Sequence, residues 1–181
     1  MYTRNLSQRT QILYTPDISQ VLLRLELRPG VRVCESGTGS GSLSTSITKA
    51  IMPTGHLFTF EFNESRVGKA KADFETMGFK PYVTVTHRDV LSNGFLLESA
   101  EADNEDLSVT AGSIDAVFLD LPRPHVAVSH AYEVLRKKGK LCNFSPCIEQ
   151  VQKASQEMAR LGFYNIKTIE CLSREIYTRK H

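Results

Sequence analysis

No apolar run in this chain of 181 residues approaches the ~20 needed to span a bilayer, so no membrane-crossing segment is expected. The first residues, Met1-Tyr-Thr-Arg-Asn-Leu-Ser-Gln-Arg9, also lack the apolar stretch of a signal peptide. Cysteine is scarce: Cys34, Cys142, Cys147 and Cys171 contain no C-x-x-C spacing, so no metal site is expected. Cys34 and Cys142 fall in apolar strand patterns and read as buried reduced thiols, which implies cytosol or nucleus. A large basic excess is missing too. A formal net charge of +2 is weak for a protein that grips nucleic acid unaided. The densest basic run, Arg136-Lys-Lys-Gly-Lys140, reads as a helix C-terminus closed by Gly139, at the end of a sheet opposite its ligand. With 41% hydrophobic and 23% charged residues, the remainder reads as one globular domain.

From residue 31 onward, strand and helix patterns alternate. A helical stripe covers 18–27 and stops at Arg28-Pro-Gly30. Strands are expected at 31–35, 56–62, 83–86, 114–119, 140–144 and 164–172. Helices are expected at 43–51, 65–77, 126–135 and 148–161. The run at 114–119 is almost wholly apolar, as in a central strand covered on both faces. This order predicts an α/β fold with a doubly wound, mostly parallel sheet. Residues 98–113 carry Glu98, Glu101, Asp103, Glu105 and Asp106 among few apolar ones and read as a mobile acidic loop.

The most informative segment follows the first strand: Glu35-Ser-Gly37-Thr-Gly39-Ser-Gly41-Ser42. Three alternate glycines leave no side chain between backbone and ligand, and the helix N-terminus that follows faces a small polar molecule. A dinucleotide fingerprint needs its third glycine one place later, where Ser42 stands, so a nicotinamide dehydrogenase is disfavoured. An acidic residue followed by x-G-x-G-x-G resembles instead the S-adenosylmethionine-dependent methyltransferases of the Rossmann-like class.

Acidic residues then close successive strands. Glu61 lies 20 residues beyond Gly41, where a carboxylate can accept both hydroxyls of a ribose. Arg66 stands one helical turn further and can orient that ligand. Asp89, with Val90, follows the third strand and can hold an adenine edge. Asp120 ends the central strand in Asp120-Leu-Pro-Arg-Pro-His125, where prolines fix a rigid turn and aim the carboxylate over the sheet edge. As an acceptor it can take the proton of an adenine amino group. Asp115 lies at the opposite end of that strand and reads as a turn residue.

Beyond the glycine loop, the chain resembles the catalytic subunit of the eukaryotic tRNA (adenine-58-N1)-methyltransferase. The resemblance is carried by Arg9-Thr-Gln-Ile-Leu-Tyr14, the glycine segment, Pro53-Thr-Gly-His-Leu57, Glu61-Phe62, Phe118-Leu-Asp-Leu-Pro122 and Asn143-Phe-Ser-Pro-Cys-Ile-Glu-Gln-Val151. It implies that Ser36, Gly37, Thr38, Gly39, Ser40, Gly41, Ser42, Glu61, Arg66, Asp89, Val90 and Asp120 bind S-adenosyl-L-methionine, with Leu13 beside it. It implies a target pocket lined by Gln11, Tyr14, Pro122, Phe144, Ser145 and Pro146, with Asp120 as the catalytic carboxylate. A nuclear heterotetramer with a noncatalytic subunit of the same fold, acting on tRNA, is also implied. His125 departs from the tryptophan common at that place. Residues 1–181 read as the catalytic domain, a fragment lacking the family's N-terminal β-domain and last strand. The alternative is the noncatalytic partner itself, a tRNA-binding module; intact Glu35, glycines, Glu61 and Asp120 favour the enzyme.

Overall fold

The computed structural model describes residues 13–98 and 107–172. Five strands form one parallel sheet: β1 (Arg32–Ser36), β2 (His56–Glu61), β3 (Val83–His87), β4 (Ile114–Leu119) and β5 (Leu135–Asn143). Their spatial order is β3-β2-β1-β4-β5, with every pair parallel. The chain therefore winds outward from β1 in one direction and returns to its other side through β4. That reversal opens a crevice at the carboxyl ends of β1 and β4, the place where such sheets bind ligands.

Helices cover both faces, as the expected α/β winding requires. On one side lie α1 (Thr15–Arg24), α2 (Ser42–Ile51) and α3 (Glu64–Thr76). Ile18, Ile47, Ile51 and Phe74 from these helices pack against Val33, Leu57 and Phe118. On the other side, α5 (Pro124–Val134) and α6 (Ile148–Arg160) set Ala127, Val128, Ala131 and Met158 near Cys34, Phe58, Val117 and Leu119. Alternate residues of each strand thus serve opposite cores. Phe58 and Phe60 are fully buried, each stabilising the fold by about 1.5–3 kcal/mol. Local chemistry starts the helices. Pro16 stands in the first turn of α1, where its missing N–H costs nothing, and the Asn63 side chain caps α3 by accepting from Arg66 N.

Two expectations are corrected here. The basic run does not end a helix: α5 stops at Val134, Leu135 is already extended, and residues 136–140 belong to β5. There Ile114 pairs with Leu135 but Ala116 pairs with Lys140, so residues 136–139 bulge out opposite Asp115 alone. No strand forms at 164–172. Tyr164, Ile166, Ile169 and Leu172 remain exposed, and a strand pattern needs a pleated surface to pack on before it becomes a strand. Leu97 and Val109 exchange two backbone hydrogen bonds, at 2.9 and 2.8 Å, and both side chains are buried. Residues 99–106 lie outside the described residues.

Candidate active site

The glycine segment leaves the carboxyl end of β1 and enters α2 through three glycines separated only by the small residues Thr38 and Ser40. Gly39 and Gly41 have φ of 55° and 76°, a left-handed region that side-chain-bearing residues seldom adopt, so glycine is favoured at both. A Cβ at Gly37 would stand 3.7 Å from Glu61 Oε2 and 4.0 Å from the Asp120 carbonyl. The loop is therefore a bare backbone cradle between two acidic strand ends.

Hydrogen bonds fix that cradle. Gly39 N donates to Glu61 Oε2 at 3.1 Å and Asn63 N donates to Glu61 Oε1 at 3.0 Å. Arg66 reaches the same carboxylate, Nη1 to Oε1 at 3.7 Å. On the other flank Gly37 N donates to the Asp120 carbonyl at 3.3 Å, and Asp120 N donates back to Ser36 O. Beneath the loop, Glu35 is 1% exposed. Its Oε2 accepts from Ser44 Oγ at 2.5 Å and from Thr59 Oγ1 at 2.7 Å, and Thr59 in turn meets Thr38 Oγ1 at 2.7 Å.

The space above this floor is about 320 Å³, open solvent included. It is lined by Leu13, Glu35, Gly37, Thr38, Gly39, Ser40, Ser42, Leu43, Phe118 and Asp120. Burial pushes the Glu35 carboxyl up to about 7, against the two hydroxyl donors, and the neighbouring Asp120 and Glu61 charges push it the same way. Desolvation also raises Asp120 above the usual carboxylate range, although its side chain keeps an exposed face. Apolar walls, a glycine cradle and three carboxylates suit a ligand with an apolar body and positive charge.

Leu13, the loop residues and Asp120 thus come together as the sequence predicts, with Ser36 buried directly beneath and Gly41 opening α2. Glu61 lies at the flank, tied to the loop. Asp89 and Val90 stand apart from the cleft lining. Asp89 caps the single turn α4 (Val90–Asn93), accepting from Leu91 N at 3.0 Å and Ser92 Oγ at 2.7 Å. The Val90 side chain is buried in the core with Phe60 and Phe95, leaving its backbone rather than its side chain to meet a ligand.

Around the cleft, Tyr14 is exposed at the start of α1. Phe144 extends the pairing of β5 by donating to Leu119 O at 2.9 Å, which sets Phe144, Ser145 and Pro146 beside the strand end that carries Asp120. Ser145 accepts from Asn143 Nδ2 at 2.8 Å, and Gln150 Nε2 donates to the Pro122 carbonyl at 3.0 Å. Gln11 lies outside the described residues. Leu43, Phe118, Ser44 and Thr59 are site residues that the sequence reading does not name as such; Glu35 stands in the glycine motif, but its bonds to Ser44 and Thr59 are not foreseen. One signal was present for the network: Thr59 interrupts the apolar strand His56-Leu-Phe-Thr-Phe-Glu61 directly across from Glu35.

Sheet order, helix placement and the glycine cradle at the β1–β4 switch point define a Rossmann-like methyltransferase fold. Similar solved structures agree. A SAM-dependent O-methyltransferase from Thermotoga maritima superposes with a TM-score of 0.79 at 28% identity, covering 92% of this chain and 57% of that one. The tRNA (m1A58) methyltransferase TrmI from Aquifex aeolicus shares the fold at a TM-score of 0.70 and 24% identity, covering 86% and 56%. The chain belongs to the family described as the tRNA methyltransferase complex GCD14 subunit, which matches residues 1–181. Among its relatives, the tRNA (adenine(58)-N(1))-methyltransferase catalytic subunit trmt61a of Dictyostelium discoideum is 49% identical over 180 residues, 99% of this chain and 54% of the relative. The catalytic subunit TRM61 of Eremothecium gossypii is 39% identical over 188 residues, 99% and 46%. The chain spans about half the length of the curated relatives it matches.

Proposed function

We propose that this chain carries the donor and transfer site of a tRNA (adenine-58-N1)-methyltransferase that uses S-adenosyl-L-methionine. One observation carries the reading: the Gly37–Asp120 backbone link places the acidic end of β4 against the glycine cradle. S-adenosylmethionine supplies a methyl group on a cationic sulfur. Gly37, Gly39 and Ser40 hold the polar part of that molecule against their backbone, while Leu13, Leu43 and Phe118 exclude water from its apolar parts.

The base must leave its stack to reach such a cleft, as base-modifying enzymes require. Phe144, Ser145 and Pro146 border the space it enters, beside Asp120. The N1 lone pair forms the new bond to the methyl carbon as the carbon–sulfur bond breaks, and positive charge develops on the ring. Asp120 accepts a hydrogen bond from the amino group, which supports that charge, and takes up a proton if the ring releases one. Alignment accounts for most of the acceleration, for which about 7–11 kcal/mol is available. The charge-assisted bond to Asp120 contributes about 1.5–3 kcal/mol.

The family resemblance supports a heterotetramer with a noncatalytic, methyltransferase-fold subunit, and a nuclear protein. Weak net charge supports shared RNA contacts, since +2 is little for gripping tRNA alone. The test is mass spectrometry of tRNA incubated with the donor and the protein, with and without the second subunit. We expect 1-methyladenosine at position 58; a protein that binds S-adenosylhomocysteine yet leaves that position unmodified in both arms sinks the reading.

A further inference from the structure

The basic run that composition singled out lies away from the cleft and does not line it. It lines a second hollow, about 300 Å³ with open solvent included, at the amino ends of β4 and β5. Arg28 comes from the loop after α1, Asp115 from β4, and Arg136, Lys138 and Lys140 from the bulge of β5. The acidic groups there are already engaged. Asp115 Oδ1 meets Arg136 Nε at 2.7 Å while its Oδ2 accepts from Arg32 N at 2.7 Å, and Glu26 Oε1 meets Lys140 Nζ at 3.0 Å. Arg28 donates to the Glu26 carbonyl, a neutral group. The excess positive charge of the hollow therefore rests on Arg28 and Lys138, both exposed, with Lys137 beside them.

The backbone there is shaped for that display. Lys138 has φ of 66°, a conformation unfavourable to a residue with a Cβ. Gly139 permits it: a Cβ there would stand 2.8 Å from Leu135 Cδ2 and 2.9 Å from Arg136 O. A plain turn would place an asparagine or glycine at the left-handed position; here a lysine occupies it and is aimed at a hollow already edged by arginine.

We propose that this hollow binds the phosphodiester backbone of RNA, as a second anchoring point for the substrate of the donor site. The proposal rests on the reading of tRNA as that substrate. β4 connects the two places, and the five steps from Asp115 to Asp120 span roughly 16 Å at ~3.3 Å each. A folded RNA larger than that reaches both around the β5 edge. Bidentate arginine and a mobile lysine are the side chains that phosphate oxygens select.

The test is fluorescence anisotropy of an unmodified tRNA transcript titrated with the full chain at several salt concentrations. The double variant Arg28→Gln/Lys138→Gln should bind roughly 3–10-fold more weakly, and the slope of log affinity against log salt should shrink by about 1–2. Its binding of S-adenosylhomocysteine, measured by calorimetry, should match the parent, which shows that the fold survives. The charge-keeping Arg28→Lys/Lys138→Arg protein should retain tRNA affinity. Unchanged affinity and slope in the glutamine variant, with tRNA still bound, overturn this proposal alone. Failure of the parent chain to bind tRNA at all overturns it together with the substrate reading.

Discussion

Glu61 Oε2 accepts the amide hydrogen of Gly39 at 3.1 Å, joining the end of β2 to the middle of the glycine loop. Its other oxygen accepts from Asn63 N, so one carboxylate sets both the loop and the start of α3. Glutamine at this position keeps the size but turns an N–H donor toward one of two N–H donors. A buried donor facing a donor costs about 1–3 kcal/mol. Glu61→Gln should therefore lower the urea midpoint and weaken S-adenosylhomocysteine binding at least tenfold in calorimetry. Parent-like affinity would show that the loop holds its shape without this link.

Glu35 and His56 give opposite pH slopes to stability. Burial pushes the Glu35 carboxyl from 4.5 up to about 7, so the unfolded chain loses that proton first and stability falls as pH rises from 4.5 to 7. Burial, helped by the Arg32 charge, lowers His56 from 6.5 to about 4, so stability falls as pH drops from 6.5 to 4. Each shift corresponds to about 3 kcal/mol. Where the windows overlap, between pH 4.5 and 6.5, these two contributions largely cancel. Glu35→Gln removes one slope, and its stability should rise through that range by roughly 3 kcal/mol, measured by urea unfolding at fixed pH. A flat profile in the variant would remove Glu35 as the compensating group.

The central part of the fold was legible because it follows from local chemistry. Apolar strand 31–35, three alternate glycines and the amphipathic stretch behind them permit little else, and the carboxylates at 61 and 120 then fall on one rim by topology. What could not be read depends on tertiary partners. The run 136–140 has cations and a glycine in the order of a helix end, yet pairing with Ala116 draws Lys140 into β5 and extrudes the residues before it. Residues 164–172 alternate like a strand, but pattern does not supply a neighbour to pair with. Glu35 stood in plain view in the motif; its role as a shared acceptor for Ser44 and Thr59 appears only once β2 lies beside β1. Val90 shows the reverse case, a correct place along the chain with its side chain turned into the core.

Thiol reactivity should separate the cysteines. Cys34 is fully buried between the two layers, and burial raises its thiol far above the ordinary value. Cys142, partly buried, is pushed up to about 11. Cys147 and Cys171 are exposed. Desolvation and the neighbouring Asp17 carboxylate raise the Cys171 thiol. Since the thiolate is the reactive form, a small aromatic disulfide reagent in native buffer should label Cys147 fast, Cys171 and Cys142 more slowly, and Cys34 only after unfolding. Rapid native labelling of Cys34, read by peptide mass spectrometry, would contradict its place in the sheet.

Asp120 sits where backbone and chemistry meet, since its carbonyl braces Gly37 while its carboxylate is left for the base. Truncating the side chain leaves the backbone link in place. Asp120→Ala should then keep donor affinity within about threefold, because the hydrogen bond that shapes the loop is made by the main chain rather than the carboxylate. The transfer step loses a charge-assisted bond of about 1.5–3 kcal/mol, which slows single-turnover methylation by roughly 10–100-fold. Desolvation holds the carboxyl above its ordinary value, so the parent rate should rise with pH at the acid end as the carboxylate forms. The alanine variant should lack that rise. If both proteins share the same pH dependence, the titrating group lies elsewhere, and Asp120 serves the loop alone.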